Sequence, residues 1–292
     1  MEGLWAKKND GDSGRWSLMN FGKILLYIIL ILISTPIVVM VVFLLVASFS
    51  ERLSYGLIPT RLTLDKWSFL WGPIPWGLKR EYIWPVLLNT LLYAGGSTLV
   101  RILLVTLAGY AISRISFRGR TFVLAFQMIG RVVPGAGLLV GMYFTLYYLN
   151  LLFTIPGVIL IRTAMGIPMA LWIMKGFFDS IPWDLEWAAM VDGCTRLQLW
   201  RKIFIPLVKP GIAAVAVFAF MEAWEDFIYV YVLLPGETKV LSVLIQRLIA
   251  TEVIDYPLLA AMSLFYTIPP LLFYLITQKY LVQVTLTGGV KR

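Results

Sequence analysis

The sequence predicts an all-α integral membrane protein, with six transmembrane helices and a cytoplasmic helix–turn–helix between the fourth and the fifth. Three observations carry that prediction. Hydrophobic residues make up 60% of the 292 positions and charged ones only 14%, a balance foreign to soluble domains. Several apolar runs exceed the roughly 18 residues that a helix needs to cross a bilayer. Between two of these runs lies an amphiphilic stretch, residues 178–211, that reads neither as loop nor as span. It carries Asp179, Asp184, Glu186 and Asp192 beside Arg196, Arg201, Lys202 and Lys209.

In chain order, residues 1–22 are polar and read as a cytoplasmic tail, with Lys7, Lys8 and Arg15. The membrane domain covers residues 23–282. Its first span runs from Lys23 to about Ala47, with Pro36 as a kink, and is too long for a signal peptide. Residues 48–84 are the longest hydrophilic stretch before 178–211. They are rich in Trp, Pro and Gly, a mixture suited to a membrane interface. Span two covers about Pro85 to Ile112. Span three covers Thr121 to Tyr147 and is broken near Pro134-Gly135. Span four covers Leu152 to Met174. Span five runs from Gly211 to Leu234 as one helix, and span six from Leu258 to Val282. Residues 283–292 form a second cytoplasmic tail.

Within 178–211, Ser180 is placed to cap a helix and Pro182 to open its first turn. Asp184 and Glu186 then put negative charge near the positive end of the helix dipole. Gly193 lets the chain turn sharply. A second helix follows from Leu197 to Ile205, and Pro206 and Pro210 are expected to end it.

These residues carry a resemblance. Ala188-Ala189, then Gly193, then Ile203-Phe204-Ile205-Pro206 match the spacing of the EAA loop of ABC-importer permeases, whose pattern is E-A-A, three residues, G, nine residues, I-x-L-P. Trp187 stands where that pattern has Glu, and Glu186, one residue earlier, keeps a carboxylate in the loop. Asp192-Gly193 resembles the sugar-importer branch, as do Thr63-Leu64-Asp65-Lys66-Trp67, Asn89-Thr90, Trp224-Glu225-Asp226-Phe227 and the terminal run from Thr285. The chain is therefore identified as resembling a maltose-type, binding-protein-dependent sugar permease. The resemblance implies that 178–211 is a coupling helix–turn–helix docking into a cytoplasmic ATPase, through Glu186, Ala188, Ala189, Asp192, Gly193, Ile203 and Pro206. It further implies a second permease subunit, an ATPase dimer and an extracytoplasmic substrate-binding protein as partners, and no cofactor.

The bases orient the array independently. With the amino terminus inside, the inner segments hold Lys7, Lys8, Arg15, Lys23, Arg114, Arg118, Arg120, Lys175, Arg196, Arg201, Lys202, Lys209, Lys279, Lys291 and Arg292. The outer ones hold only Arg52, Arg61, Lys66, Lys79, Arg80, Lys239 and Arg247. The positive-inside rule puts both termini and the 178–211 loop in the cytoplasm. The net charge of +9 is thus a topology signal and implies no nucleic-acid partner.

Histidine is absent and Cys194 is the one cysteine, so disulfides, haem, zinc and His-dependent catalysis lack support. No Gly-x-x-x-x-Gly-Lys-Ser/Thr run is present, so the ATPase is expected on another chain. Arg101, Arg131 and Arg162 fall inside spans two, three and four. Glu222, Glu225 and Asp226 fall inside span five. Charges at that depth cost roughly 2.5–3.5 kcal/mol each on insertion scales and should pair or face a cavity. On a continuous helix Glu222, Glu225, Asp226 and Tyr229 share one face. Together with Trp224 they are the candidate substrate path, with the three arginines as charge partners. The interior arginines leave an acidic sugar open beside a neutral one. The competing reading is a secondary, proton-coupled transporter using the acids of span five. An intramembrane enzyme has only those same acids to work with.

The orientation is testable in intact cells. In a Cys194→Ser background, a cysteine replacing Arg118 should be shielded from an impermeant thiol reagent added outside, and one replacing Lys239 should be labelled. The reverse pattern overturns the topology.

Overall fold

A computed structural model describes residues 10–54, 58–75, 81–130, 135–235, 240–251 and 253–287. Among them, four helices are long and apolar enough to cross a membrane, or five if one bent pair counts as a span. The described chain forms two compact units.

The first unit holds residues up to Trp67 together with Tyr256–Leu264. Its helix α1, Asp10–Ser48, starts well before Lys23, so the polar segment ahead of the first apolar run continues its helix. Residues 25–43 of α1 are exposed throughout and almost wholly apolar, as a lipid-facing helix requires. Beyond it, β1 (Leu53–Ser54) and β2 (Ile58–Pro59) pair antiparallel, with Leu53 opposite Pro59. Phe49 stacks on Trp67 at 5.6 Å between ring centroids. This small hairpin lies inside the stretch read only as interfacial loop.

The second unit is built on α2, Ile83–Arg114. The next helices are α3 (Arg120–Gly130), α4 (Gly135–Tyr148) and α5 (Ile155–Asp179). The break expected in span three near Pro134-Gly135 falls on residues 131–134, Arg131 included, which are outside the described residues. Thr154 caps α5 by accepting the Gly157 N–H at 3.1 Å. Pro156 sits in the first turn, where its missing N–H costs nothing. Helices α2 and α5 pack closely along their length: a Cβ on Gly109 would lie 3.0 Å from Met174 Cβ. Val105, Ile112, Leu171, Met174 and Phe178 form the core between them.

The amphiphilic stretch folds as α6 (Trp183–Val191), a turn at Gly193 with φ of 82°, α7 (Arg196–Leu199), a π-helical turn (Trp200–Phe204) and α8 (Ile205–Leu207). Leu199, Phe204 and Val208 anchor it in the α2/α5 core. Two expectations are corrected here. Ser180 does not cap α6: it closes α5, and its hydroxyl donates to Phe177 O at 2.7 Å. Nor do Pro206 and Pro210 end helices. Each sits in the first turn of a new one, α8 and then α9 (Lys209–Trp224), where proline is tolerated. The cap the sequence reading missed is Thr195. Its hydroxyl accepts the Gln198 N–H at 3.3 Å while Gln198 Oε1 accepts the Thr195 N–H at 2.9 Å, a reciprocal capping box. At Val208 the chain bends by 71° into α9.

Span five is not the single helix expected over 211–234. Helix α9 stops at Trp224, and α10 (Ile228–Leu233) begins after three residues. Asp226 is the reason. Its carboxylate accepts the Tyr229 N–H at 3.3 Å and its carbonyl accepts the Ser242 hydroxyl at 2.7 Å. Side chains thus satisfy backbone groups that a helical bond would otherwise serve. Two more helices follow among the described residues: α11 (Leu241–Ile249) and α12 (Tyr256–Thr287). The Leu241 N–H donates to Thr90 Oγ1 at 2.9 Å, tying α11 to α2.

Candidate functional site

The break after Trp224 brings together charges from three helices. Arg101, on α2, has a side chain 2% exposed and donates through Nη1 to Glu222 Oε2 at 2.7 Å. Its Nη2 donates to the Arg162 carbonyl on α5 at 2.7 Å. Arg162 in turn donates through Nη2 to the Glu222 carbonyl at 2.7 Å. Its guanidinium lies 3.5 Å from Glu222 Oε2 and 4.0 Å from Asp226 Oδ2. Tyr93, also on α2, donates its hydroxyl to Asp226 Oδ2 at 2.5 Å. Two guanidinium groups thus face two carboxylates. Arg101 and Asp226 are buried while Glu222 is partly open, so removing either arginine strands a carboxylate that has few other partners.

Gly166 on α5 makes the arrangement sterically feasible. A Cβ there would lie 1.9 Å from Arg101 Cζ, inside the guanidinium itself. The glycine is therefore a slot, required by close approach rather than by backbone conformation.

The expected common face of Glu222, Glu225, Asp226 and Tyr229 does not exist, because the helix that would carry it ends at Trp224. Glu222, Asp226 and Tyr229 still converge, across the break, on Arg162, whose Cζ sits 5.9 Å from the Tyr229 ring centroid. Glu225 does not join them and is exposed. Trp224 is buried, stacked on Phe220 and tilted against Tyr266, and its indole N–H donates to Tyr266 O at 3.2 Å. It is a packing residue of the α9/α12 contact.

An open cavity of about 480 Å³ lies against this cluster, and Phe126, Gln127, Arg162, Pro168, Glu222 and Tyr229 are among its lining residues. Glu222, its side chain 39% exposed, is more open than Arg162 beside it. Gly135 lines the wall as well, and a Cβ there would lie 2.1 Å from Tyr229 Oη, so the glycine leaves room for the phenol. The wall offers aromatic rings, an amide, a carboxylate and a guanidinium. Such a set can stack on a polyol and exchange hydrogen bonds with its hydroxyls.

At the other end of α2 sits Arg114, which the sequence reading counted only as an inner base. Its side chain is 2% exposed and its Nη2 donates to Phe178 O at 2.7 Å and Ile181 O at 2.5 Å. Its guanidinium lies 4.5 Å from the Trp183 ring centroid and 5.1 Å from that of Phe204. Glu186 is buried beside it, with Oε2 3.9 Å from Arg114 Nε. Ser113 donates to Asp179 Oδ1 at 2.6 Å, and Asp179 also holds Lys175. Of the other residues singled out in the loop, Ala188, Asp192, Gly193 and Pro206 are exposed, Ala189 is buried and Ile203 half-buried. Trp187, at the position of the motif Glu, is 56% exposed.

Residues 101–285 match the family model of the binding-protein-dependent transport system inner membrane component. The chain belongs to this family. It is 33% identical over 205 residues to the maltodextrin transport system permease protein MdxG of Bacillus subtilis (strain 168), covering 70% of this chain and 74% of the relative. Two solved structures share the fold. One is a bacterial ABC transporter involved in the import of the acidic polysaccharide alginate, with a TM-score of 0.70 at 21% identity over 94% of this chain and 99% of the other. The second is a bacterial alginate ABC transporter in complex with an alginate pentasaccharide-bound periplasmic protein, with a TM-score of 0.65 at 19% identity over 92% and 96%. In this permease Arg101, Arg162, Glu222 and Asp226, the cavity they border and the loop under α2 lie within the matched residues, while Tyr93 precedes them.

Gly166→Ala should push the Arg101 guanidinium off Glu222 and destabilise the permease in detergent by about 1–3 kcal/mol. In an Arg101→Met background the same substitution should cost far less, because nothing then fills the slot. Additive losses in the double mutant would show that Gly166 does not serve Arg101.

Proposed function

We propose that this permease is one subunit of an ATP-driven importer of sugars or oligosaccharides, forming half of the translocation pathway. The cavity wall of Phe126, Gln127, Arg162, Glu222 and Tyr229 is the observation that carries the reading, set in a chain whose relatives include a maltodextrin permease. Rings for stacking beside a few polar groups suit a sugar. Glu222 and Asp226 already neutralise Arg101 and Arg162, so these arginines do not by themselves call for an acidic substrate. The same pairing argues against the secondary-transporter alternative, since both acids are held by guanidinium groups.

On this reading the bent pair ending in α9, together with α10, makes one span, and α3 with α4 makes another. That gives six spans with α1, α2, α5 and α12. Both termini and the α6–α8 loop lie in the cytoplasm, with α6 and the Gly193 turn as the coupling helix. The partners are a second permease subunit, a cytoplasmic ATPase dimer that hydrolyses ATP, and an extracytoplasmic binding protein that delivers the sugar. This chain supplies no ATPase site of its own. ATP binding would draw the coupling loops together and turn the cavity from inward- to outward-facing. The exposed Trp183, Trp187 and Val191 of α6 are available for docking.

Uptake of labelled disaccharides and maltodextrins by cells carrying the whole importer tests this. Tyr229→Ala should lower uptake by roughly tenfold, about the value of one lost ring contact, while the complex still assembles. Glu225→Gln, away from the cavity, should leave uptake unchanged. Normal uptake with Tyr229→Ala would remove this cavity from the pathway. For the loop, Gly193→Leu should force a side chain into a backbone turn of positive φ and abolish sugar-stimulated ATP hydrolysis in the reconstituted complex. Wild-type stimulation would exclude the turn from coupling.

A further inference from the structure

Arg114 is far better bound than a topology signal needs to be. It grips two carbonyls, Phe178 O and Ile181 O, at the junction between α5 and α6. It also lies over the Trp183 ring of α6 and the Phe204 ring of the π-helical turn. A single side chain thus holds both arms of the loop on the last turn of α2. Ser113 adds a second tie, to Asp179.

The same helix carries the cavity cluster. Arg101 and Tyr93 reach Glu222 and Asp226, and Arg101 and Arg114 are about 20 Å apart at the rise of an α-helix. Helix α2 is uninterrupted between them and contains no proline after Pro85. The chain's own route from the loop to Glu222 is softer. It passes a π-helical turn and a 71° bend before it reaches α9. Displacement of a continuous helix moves both of its ends, whereas a bend can absorb displacement.

One contact in this joint is incomplete. Arg114 Nε and Glu186 Oε2 are both buried and make no hydrogen bond, yet they face each other at 3.9 Å. A charge-assisted bond forms at about 2.7–2.9 Å, so a shift of roughly 1 Å by α6 against α2 would close it. Two arrangements of one buried pair, open and closed, are what a transmitting joint requires.

We propose that Arg114 is a positioning residue of the transport cycle: it couples motion of the α6–α8 loop to α2, and through Arg101 on the same helix to the Glu222 cluster at the cavity, with Glu186 as its partner in the joint. Glu186 is then an internal group of the permease and not the carboxylate that meets the ATPase. The docking face presents Trp187 in place of the acid. The inference rests on the proposed role of this loop in docking the ATPase.

The test uses the whole complex purified with its own ATPase and needs no sugar. A Gln127→Cys reporter in a Cys194→Ser background places a thiol on the cavity wall. Its rate of labelling by an impermeant reagent is read with and without a non-hydrolysable ATP analogue. The analogue should change that rate in the otherwise unaltered permease; no change there would sink the docking reading itself, and Arg114 with it. Arg114→Lys keeps the charge but cannot span two carbonyls. It should shrink the nucleotide-dependent ratio by roughly 2- to 30-fold while the ATPase still co-purifies. Glu186→Gln should shrink it in the same direction and add little in the double mutant. Should Arg114→Lys fail to assemble, the ratio in Glu186→Gln decides. An unaltered ratio in the assembled variants overturns the proposal, and so does loss of the ATPase from Glu186→Gln alone, which would make Glu186 a docking residue.

Discussion

A guanidinium inside an apolar bundle has to be matched where it stands, and the match of Arg101 to Glu222 fixes much of the second unit. Glu222 must lie at the end of α9 facing α2, which sets the rotation of α9 about its axis. Arg162 must approach from α5 to share the same carboxylate and to bond the Glu222 carbonyl. Helix α5 must then offer no side chain where the Arg101 guanidinium passes, and Gly166 meets that need. Hydrocarbon supplies no alternative partner to the buried Arg101 guanidinium, so geometry that would be optional at a wet surface is obligatory here.

Helix α2 gains its position from the same economy. Its apolar side packs on α5 through Val105, Ile112, Met174 and Phe178. Several of its polar residues reach other elements: Thr90 bonds α11, Tyr93 the break after α9, Arg101 the cavity cluster, Ser113 the end of α5 and Arg114 the α5/α6 junction. Apolar packing alone is poorly directional. The hydrogen bonds along one rod supply register to elements that dispersion would leave free to slide.

What the sequence made legible follows from the range of the forces involved. Helices α2, α5 and α12 were visible because length and apolarity are local properties, and the turn at Gly193 because its spacing is local as well. The capping box of Thr195 and Gln198 is also local and could have been read from its Thr-x-x-Gln pattern. The break at 225–227 was not legible in the same way. A run containing Glu222, Glu225 and Asp226 inside an apolar window can be a helix face or an interruption. The choice depends on Tyr93 and Ser242, distant in the chain, which hold Asp226 in its non-helical role. Trp224 looked like a pathway aromatic for a similar reason: nothing local shows that Tyr266 covers it. Arg114 gave the weakest signal of all, since an arginine at the inner end of a span is what topology alone predicts.

The break itself has to be reconciled with the lipid around the bundle. A continuous helix satisfies its own backbone and so presents nothing except side chains. An interrupted one exposes carbonyl and amide groups, which hydrocarbon forbids unless protein or a water-filled space meets them. Here Asp226 and Ser242 meet the freed groups on one side, and the cavity bordered by Glu222 and Tyr229 lies on the other. The Asp226 carboxylate can stay there only because Tyr93 and Arg162 balance it. The interruption and the charged cluster are therefore a single solution. Without the charges the break would strand its backbone, and without the break Asp226 and Tyr229 could not converge with Glu222 on Arg162.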